Sequence, residues 1–463
     1  MKQWADKSVL VLGLGETGLS MLRWLSAQGA RLRAADSRSE PPGLIEAAQY
    51  VETGQIYCGT FNDALFDGID MVAISPGVPL RDPAVARAAA RGIPVVGDIE
   101  LLAQHLMDYD LRLTTKVIAI TGSNGKTTVT SMVEHLCKAA GKDAVAAGNI
   151  SPAVLDVALE RGAKQPEIWV LELSSFQLET TATLNADAAT VLNISEDHLD
   201  RYAGIDAYAA AKARIFIGSG VQVLNRDDAR SMGMALPGHE VVTFGLDVSS
   251  HEQDFGVERN RDGIWLMQGD HQLLKVSDLN IAGMHNVANA LAALALCRAI
   301  GLPMPTLIEA LRSFRGLPHR VERIAEVDGV VYYDDSKGTN VGATVAALEG
   351  LGRKVALIAG GDGKGQDFAP LKPAVMRHAR AVVLIGRDAP LIAATLEGCG
   401  VPLRHAANMG EAVRQAAQLA QSGDAVLLSP ACASFDMFRN YAHRAEMFVE
   451  AVHELIKEAA WSR

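Results

Sequence analysis

The sequence predicts an α/β protein of three domains, each built on a mainly parallel sheet. Three observations lead there. Short β-branched apolar runs alternate with helix-like stretches, the order that makes parallel strands joined by helices. Glycine-rich turns directly follow several of those runs, and some of them open the next helix. The 463 residues suit about three domains at roughly 150 residues each.

Composition narrows the function. Hydrophobic residues make up 49% of the chain and charged ones 21%, enough apolar surface for large cores. A formal net charge of −11 argues against a broad nucleic-acid or anionic-membrane surface, so anionic ligands must be met by local cations and backbone donors. No apolar run approaches the roughly 18 residues of a membrane span, and Met1 to Lys7 leads straight into a strand, so no signal peptide is expected. Cys58, Cys137, Cys297, Cys399 and Cys432 lie far apart with no Cys-x-x-Cys spacing, which suits a reducing cytosol rather than disulfides or zinc.

The first domain is expected over residues 1–107. Ser8 to Leu12 reads as a strand, Gly13-Leu-Gly15-Glu-Thr-Gly18 as a turn, then a helix to about Gln28 and a strand from Arg31 to Ala35. Gly-x-Gly-x-x-Gly after a strand is a Rossmann-like phosphate turn, and Asp36 lies near the expected ribose-binding acid. Arg38 favours an extra phosphate or a diphosphate over NAD. Ser75-Pro76-Gly77 closes the strand Met71 to Ile74 at a carboxyl end, where α/β ligands collect.

The second domain is expected over residues 108–316, after polar residues interrupt the apolar pattern near His105 to Thr115. The strand Val117 to Ile120 breaks at Gly122-Ser123-Asn124-Gly125, and a helix follows from Lys126. This is a shortened phosphate loop, Gly-x-x-Gly-Lys-Thr. Glycines let backbone N–H groups turn in on a phosphate, and the helix N-terminus adds its positive dipole end. Lys126 would reach the outer phosphates and Thr127 would ligate Mg²⁺. A strand from Ile168 ends at Glu172, an acid placed to orient Mg²⁺ or simply to form a cap or salt bridge. After the strand Ala188 to Ile194, Ser195-Glu-Asp-His-Leu-Asp-Arg201 offers metal or phosphate ligands, His198 among them. Lys212 and Arg214, on a helix near Asp206 to Phe216, read by residue type as solvated cations. Residues 220–280 alternate short β runs with turns, a small β extension. Gly283-Met-His-Asn-Val-Ala-Asn289 opens an alanine-rich helix whose asparagines suit a base or ribose, although asparagine also caps helices freely.

The third domain, 317–463, begins at the hinge Leu317-Pro-His-Arg320. Strands are expected at Val330 to Tyr333, Lys354 to Ile358, Ala381 to Ile385 and Ala425 to Leu428, with helices near Ala369 to Arg377, Ala389 to Leu396 and Glu411 to Ala420. The turns Asp334-Asp-Ser-Lys-Gly-Thr-Asn340, Gly360-Gly-Asp-Gly-Lys364 and Ser429-Pro-Ala-Cys-Ala-Ser434 follow strands, and a terminal helix is expected from Phe435 onward.

Together, Ile120-Thr-Gly-Ser-Asn-Gly-Lys-Thr-Thr128, Glu172-Leu-Ser-Ser-Phe-Gln-Leu-Glu179, Asn193-Ile-Ser-Glu-Asp-His-Leu-Asp-Arg201, His285-Asn-Val-Ala-Asn289 and Asp335-Ser-Lys-Gly-Thr-Asn340 resemble the Mur ligases over essentially the whole chain. Within that family, Gly13-Leu-Gly-Glu-Thr-Gly-Leu-Ser20 and Ser429-Pro-Ala-Cys-Ala-Ser-Phe-Asp-Met-Phe438 resemble the branch that adds D-glutamate. The Asp-Asn-Pro-Arg signature of the diaminopimelate- and lysine-adding branch is absent. The resemblance implies a P-loop ATPase-like central domain between two Rossmann-like domains. It also implies an ATP-dependent amide ligase that joins D-glutamate to UDP-N-acetylmuramoyl-L-alanine through an acyl phosphate and a tetrahedral intermediate, as a cytoplasmic monomer.

The same resemblance implies roles for individual residues. Gly15, Thr17, Asp36, Arg38, Ser75, Pro76, Gly77 and Asn149 would hold the UDP substrate. Gly122, Ser123, Asn124, Gly125, Lys126, Thr127, Thr128, Asn289, Arg320 and Asp335 would hold ATP. Thr127 and Glu172 would bind one Mg²⁺, and His198 with a carbamylated Lys212 a second, making Lys126, Glu172, His198 and Lys212 the catalytic group. Lys337, Thr339, Lys364, Ser434, Phe435 and Tyr441 would form the D-glutamate site. Tyr441 stands where the family pattern leads to phenylalanine, and Glu16 between the first glycines is a second departure. Two other classes compete. An oxidoreductase would use Gly13 to Gly18 and leave the ATP loop idle, and a P-loop switch or motor would release phosphate without a small-molecule acceptor.

Overall fold

A computed structural model describes residues 4–52, 54–107, 109–197, 201–249 and 251–461. The first sheet has five parallel strands in the order Ile56–Cys58, Arg31–Asp36, Ser8–Leu12, Met71–Ile74, Val95–Val96. Strands such as Met71–Ile74 are buried throughout because helices cover both faces, which explains their unbroken apolar character. The strand order changes direction on either side of Ser8–Leu12. The crevice where α/β sheets take ligands therefore opens between Gly13 and Ser75, whose hydroxyl donates to the Gly13 carbonyl at 3.1 Å.

The central sheet has nine strands. Ala144–Gly148, Ile168–Glu172, Lys116–Thr121, Ala188–Val191, Val221–Asn225 and Val241–Phe244 run parallel across it, and Phe255–Asn260, Gly263–Gln268 and His271–Lys275 complete one edge. The β extension expected over 220–280 is thus continuous with the central sheet; its first strands pair in parallel with it and only the last turns are antiparallel hairpins. The strand Lys116–Thr121 lies inside the sheet, between Ile168–Glu172 and Ala188–Val191, so its loop emerges amid two other carboxyl ends.

The third sheet has six strands in the order Glu322–Val327, Val330–Asp334, Ala425–Leu428, Val355–Gly360, Ala379–Ile385, Leu403–His405, with only Glu322–Val327 antiparallel. The terminal helix begins at Tyr441, not at Phe435. Residues 435–440 form turns in which the Ser434 carbonyl accepts from the Met437 and Phe438 N–H groups, and Asn440 caps the helix by accepting from the His443 N–H at 2.8 Å. The polar stretch near 105–115 holds two helices, Asp98–Leu106 and Tyr109–Thr114, rather than an open linker.

The first two sheets share a core. Leu101 and Leu102 belong to the same apolar cluster as Leu155 and Trp169. Arg23 reinforces that seam, bonding Asp156 at 2.8 and 2.6 Å and also pairing with Glu46. A continuous core and a buried-side ion pair set the first crevice against the central sheet.

Candidate active site

In the first crevice the glycine turn is organised by Asp36. Its carboxylate accepts from the Leu14 N–H at 2.7 Å, from the Arg38 N–H at 2.9 Å, and from the Arg38 guanidinium at 2.8 and 2.7 Å. The Arg38 bonds lead in pulling its pKa down to about 2, so it stays ionised and orients Arg38. Gly15, Thr17, Asp36, Arg38, Ser75, Pro76, Gly77 and Asn149 all line one cleft of about 540 Å³, together with Glu16. Glu16 reaches across it to accept from the Ser151 hydroxyl at 3.0 Å.

The phosphate loop is held from behind. Ser123 N–H donates to the Asn193 carbonyl at 2.9 Å, and Asn124 N–H to the Asn193 side chain at 2.8 Å. Gly125 has φ +85°, and a Cβ there would sit 2.6 Å from the Asn289 Oδ1, so the turn into the helix Lys126–Ala139 requires glycine. Lys126 Nζ donates to the Gly122 and Ser123 carbonyls at 2.8 and 3.0 Å. Glu172 is buried, with Oε1 accepting from Asn149 at 2.9 Å and Oε2 left without a partner. An unpaired buried carboxylate oxygen is costly on its own. The Thr127 hydroxyl lines the same cleft as Glu172, and this oxygen donor set fits a hard cation such as Mg²⁺.

Lys212 is not a solvated cation. It is 1% exposed, on the helix Ile205–Ala213, and its Nζ donates to the Thr121 hydroxyl at 3.1 Å and the Gly122 carbonyl at 2.9 Å. Burial, and then the neighbouring Lys126 cation, push its pKa well below the usual lysine value. Arg214 likewise turns inward, onto the Leu178 and Thr181 carbonyls. His198 lies outside the described residues.

The third sheet supplies the opposite wall. Arg320 donates to the Thr127 hydroxyl at 2.8 Å, and Asn340 to Asn124 Oδ1 at 3.2 Å. Asp335 is buried and accepts from the Ser429 hydroxyl at 2.7 Å; burial lifts its pKa to about 7. Lys337 Nζ stands 3.7 Å over the Tyr441 ring. Lys337, Thr339, Lys364 and Tyr441 line a central cleft of about 750 Å³ with Ser123, Asn124, Gly125, Lys126, Thr127, Asn149, Glu172 and Arg320. Ser434 and Phe435 do not line it: Ser434 is buried and Phe435 is 72% exposed. A further cleft of about 270 Å³ is bounded by Gly125, Thr128, Asn289, Arg320 and Asp335.

These three clefts form a chain. Asn149 and Ile150 border both the first and the central cleft, while Asn124, Gly125, Arg320 and Lys337 border both the central cleft and the third. His319 also borders the central cleft and drew no role from the sequence, where it reads as part of a hinge; nothing in the local pattern flags it. Glu196 and Asp197 border it too.

Comparisons with known proteins agree with the three-domain organisation. Residues 7–97 match the family model "Mur ligase MurD-like, N-terminal domain", residues 120–297 "Mur ligase middle domain", and residues 319–432 "Mur ligase, glutamate ligase domain". The UDP-N-acetylmuramoylalanine--D-glutamate ligase of Aromatoleum aromaticum is 57% identical over 460 residues, covering 98% of this chain and 99% of its own. The protein of the same name from Methylobacillus flagellatus is 58% identical over 458 residues, covering 99% of each. Among solved structures, UDP-N-acetylmuramate-alanine ligase from Thermotoga maritima shares the fold, with a TM-score of 0.58, 20% identity, and coverage of 96% of this chain and 99% of that one. The chain belongs to the Mur ligase family.

Proposed function

We propose that the protein is an ATP-dependent ligase that joins D-glutamate to UDP-N-acetylmuramoyl-L-alanine, releasing ADP and phosphate, in a cytoplasmic step of peptidoglycan precursor synthesis. The observation that carries this reading is the shared wall of Asn149 and Ile150: a substrate seated on the first glycine turn can pass its far end directly to the phosphate loop. The names of the relatives at 57% and 58% identity support the same reaction. The division 1–107, 108–316 and 317–463 gives one domain to the uridine nucleotide, one to ATP and one to the amino acid. All three clefts come from one chain, so a monomer suffices.

A carboxylate does not react with an amine at neutral pH, because its carbonyl carbon is poorly electrophilic. Moving the ATP γ-phosphoryl group onto it makes an acyl phosphate with a good leaving group. Amine attack then gives a tetrahedral intermediate that expels phosphate and leaves the amide. The loop N–H groups and Lys126 bind and orient the phosphate chain, and Asn289 and Asp335 hold the nucleoside end. Lys337 and Lys364 meet the amino-acid carboxylates, and Tyr441 completes that wall, while Ser434 lies buried behind it and Phe435 points away. Walls from two domains exclude the water that would hydrolyse the acyl phosphate. Two Mg²⁺ ions, when bound, neutralise charge gathered on the phosphate and carboxylate oxygens; Thr127 and Glu172 would hold one, His198 and a carbamylated Lys212 the other.

Carbamylation suits what surrounds Lys212. Only a neutral amine attacks CO₂, and burial favours that form. The new N–C bond forms as the amine loses a proton, leaving an anionic oxygen donor of the kind Mg²⁺ prefers. The bonds from Nζ to Thr121 and Gly122 support a second role, in which the bare amine braces the loop.

A phosphate-release assay tests the ligase reading against its rivals. Release should require ATP, Mg²⁺ and the nucleotide sugar together, and turnover should continue only with the amino acid present. Steady ATP hydrolysis without either co-substrate would favour a switch or motor instead.

A further inference from the structure

His319 stands on a wound turn. Its φ is +63° and that of Val321 is +52°, in the left-handed region that non-glycine residues seldom enter and that clusters at functional sites. The twist directs two consecutive side chains toward the site: Arg320 onto Thr127, and His319 to the wall of the central cleft.

The ring of His319 is fixed. Its Nδ1 lies 2.7 Å from Oδ2 of Asp334, a side chain with no solvent exposure at the end of the strand Val330–Asp334. Asp334 Oδ1 in turn accepts from the Ser336 N–H at 2.9 Å, and the His319 N–H donates to Glu322 at 2.9 Å. An ionised carboxylate can only accept, so Nδ1 carries a proton, and in the neutral ring Nε2 is the basic nitrogen. The ring centroid is 6.1 Å from that of Tyr441, whose other neighbour is the Lys337 ammonium. His319 therefore shares the cleft wall with Lys337 and Lys364, the cations suited to an amino acid's carboxylates.

The ligase reaction needs such a base. An amino acid arrives as an ammonium ion, which has no lone pair with which to attack. We propose that His319 takes the proton from the ammonium of the incoming amino acid and that Asp334 holds the imidazole in position for it. This rests on the ligase reading given above and adds a catalytic residue to it. The amine lone pair then forms the new N–C bond, and the acyl C–O bond to phosphate breaks. The first proton goes to Nε2, where Asp334 stabilises the imidazolium; the second leaves with the phosphate as the tetrahedral intermediate collapses.

The charged and titratable groups around His319 come from each neighbouring element. Asp334 lies on its strand, Glu322 and Arg320 on its own turn, Lys337 on the loop whose N–H donates to the His319 carbonyl at 3.1 Å, and Tyr441 on the last helix. His319, Glu322 and Asp334 also offer ligand atoms within 4.8 Å of one another. However, the carboxylates already accept from the His319 and Ser336 N–H groups, which favours proton transfer over a cation site.

Hydroxylamine separates this step from the ones before it. It is neutral near pH 7, so it attacks an acyl phosphate without needing a base. His319→Asn keeps a residue tolerant of the left-handed turn but removes the basic nitrogen. It should lower kcat for D-glutamate by about 10²-fold or more, the usual weight of a general base. KM for ATP should be little changed, and ATP-dependent hydroxamate formation from the nucleotide sugar should run near the wild-type rate. The residual D-glutamate rate should climb with pH as free amine becomes available. Asp334→Asn, which leaves the basic ring in place but removes the charge that orients it and stabilises the imidazolium, should fall between wild type and His319→Asn. Equal loss of hydroxamate and amide in His319→Asn would overturn the proposal, as would an unchanged kcat. If the wild-type enzyme forms no hydroxamate, and releases no phosphate with its co-substrates, the ligase reading itself fails.

Discussion

Arg320 and Thr127, 193 residues apart, are joined by a hydrogen bond of 2.8 Å from guanidinium to hydroxyl. The first residue of the third domain to touch the phosphate loop thus meets the side chain suited to Mg²⁺. Burial lowers the pKa of Arg320, but an arginine stays charged, so the contact places a partly desolvated cation beside the phosphate site. The third domain thus reaches the phosphate loop through this bond.

Arg320→Ala should accordingly damage ATP use more than it damages binding of the uridine nucleotide. A bond to a charged group is worth about 1.5–3 kcal/mol, so kcat/KM for ATP should fall roughly 10- to 100-fold by steady-state kinetics. Calorimetric affinity for the uridine nucleotide should hold. An equal loss of both would point to a damaged fold.

Lys337 lines the central cleft and Ser434 does not. Lys337→Ala should raise the KM for D-glutamate at least about tenfold, since a charge-assisted contact to a carboxylate is lost, with a much smaller change for ATP. Ser434→Ala should act more weakly on the same constant. Measuring both KM values in each variant checks the assignment, and an unchanged D-glutamate KM in Lys337→Ala contradicts it.

Lys212→Ala should be nearly inactive at every pH, and acetate or another small carboxylate should restore part of the rate by supplying the missing oxygen donor. An uncharged amide of similar size should restore none. If Lys212 served only as a brace for the loop, acetate would leave the variant dead.

Asp98 is a buried acid that accepts from Gln177 at 3.0 Å, between the first and central domains. Burial raises its pKa from 3.8 to about 6. The folded state therefore holds this proton after the unfolded chain has lost it, so the stability linked to Asp98 falls as pH rises from about 4 to 6 and stays low above that. Asp98→Asn keeps a partner for Gln177 and removes the buried charge. It should stabilise the protein above pH 6, by at most about 3 kcal/mol, with no gain below pH 4. Thermal unfolding followed across pH shows this as a raised Tm only on the alkaline side.

The sequence made the phosphate loop legible because its chemistry is local: the glycines, Lys126 and Thr127 that act together are neighbours in the chain. The first cleft was legible for the same reason, at Gly13 to Gly18 and Ser75 to Gly77. Burial was not. Lys212 looks like a surface lysine until the strand Lys116–Thr121 is placed beside its helix, since its partner Thr121 lies 91 residues away. The His319–Asp334 pair was hidden because it depends on positive φ at two non-glycine residues, which no local propensity announces. The start of the last helix at Tyr441, rather than Phe435, is set by the Asn440 cap, which the residues after Ser434 do not announce. Phe435 is a harder case: its exposure away from the cleft wall has no counterpart in the sequence pattern.

The most direct test of the account is product formation with each enantiomer of glutamate. The enzyme should be given ATP, Mg²⁺ and UDP-N-acetylmuramoyl-L-alanine with either D- or L-glutamate, and the products separated and weighed by mass spectrometry. An amide product with D-glutamate, matched mole for mole by released phosphate, and little or none with L-glutamate or meso-diaminopimelate, is the expected result. Equal product with L-glutamate or diaminopimelate, or phosphate released with no amide formed, would contradict it.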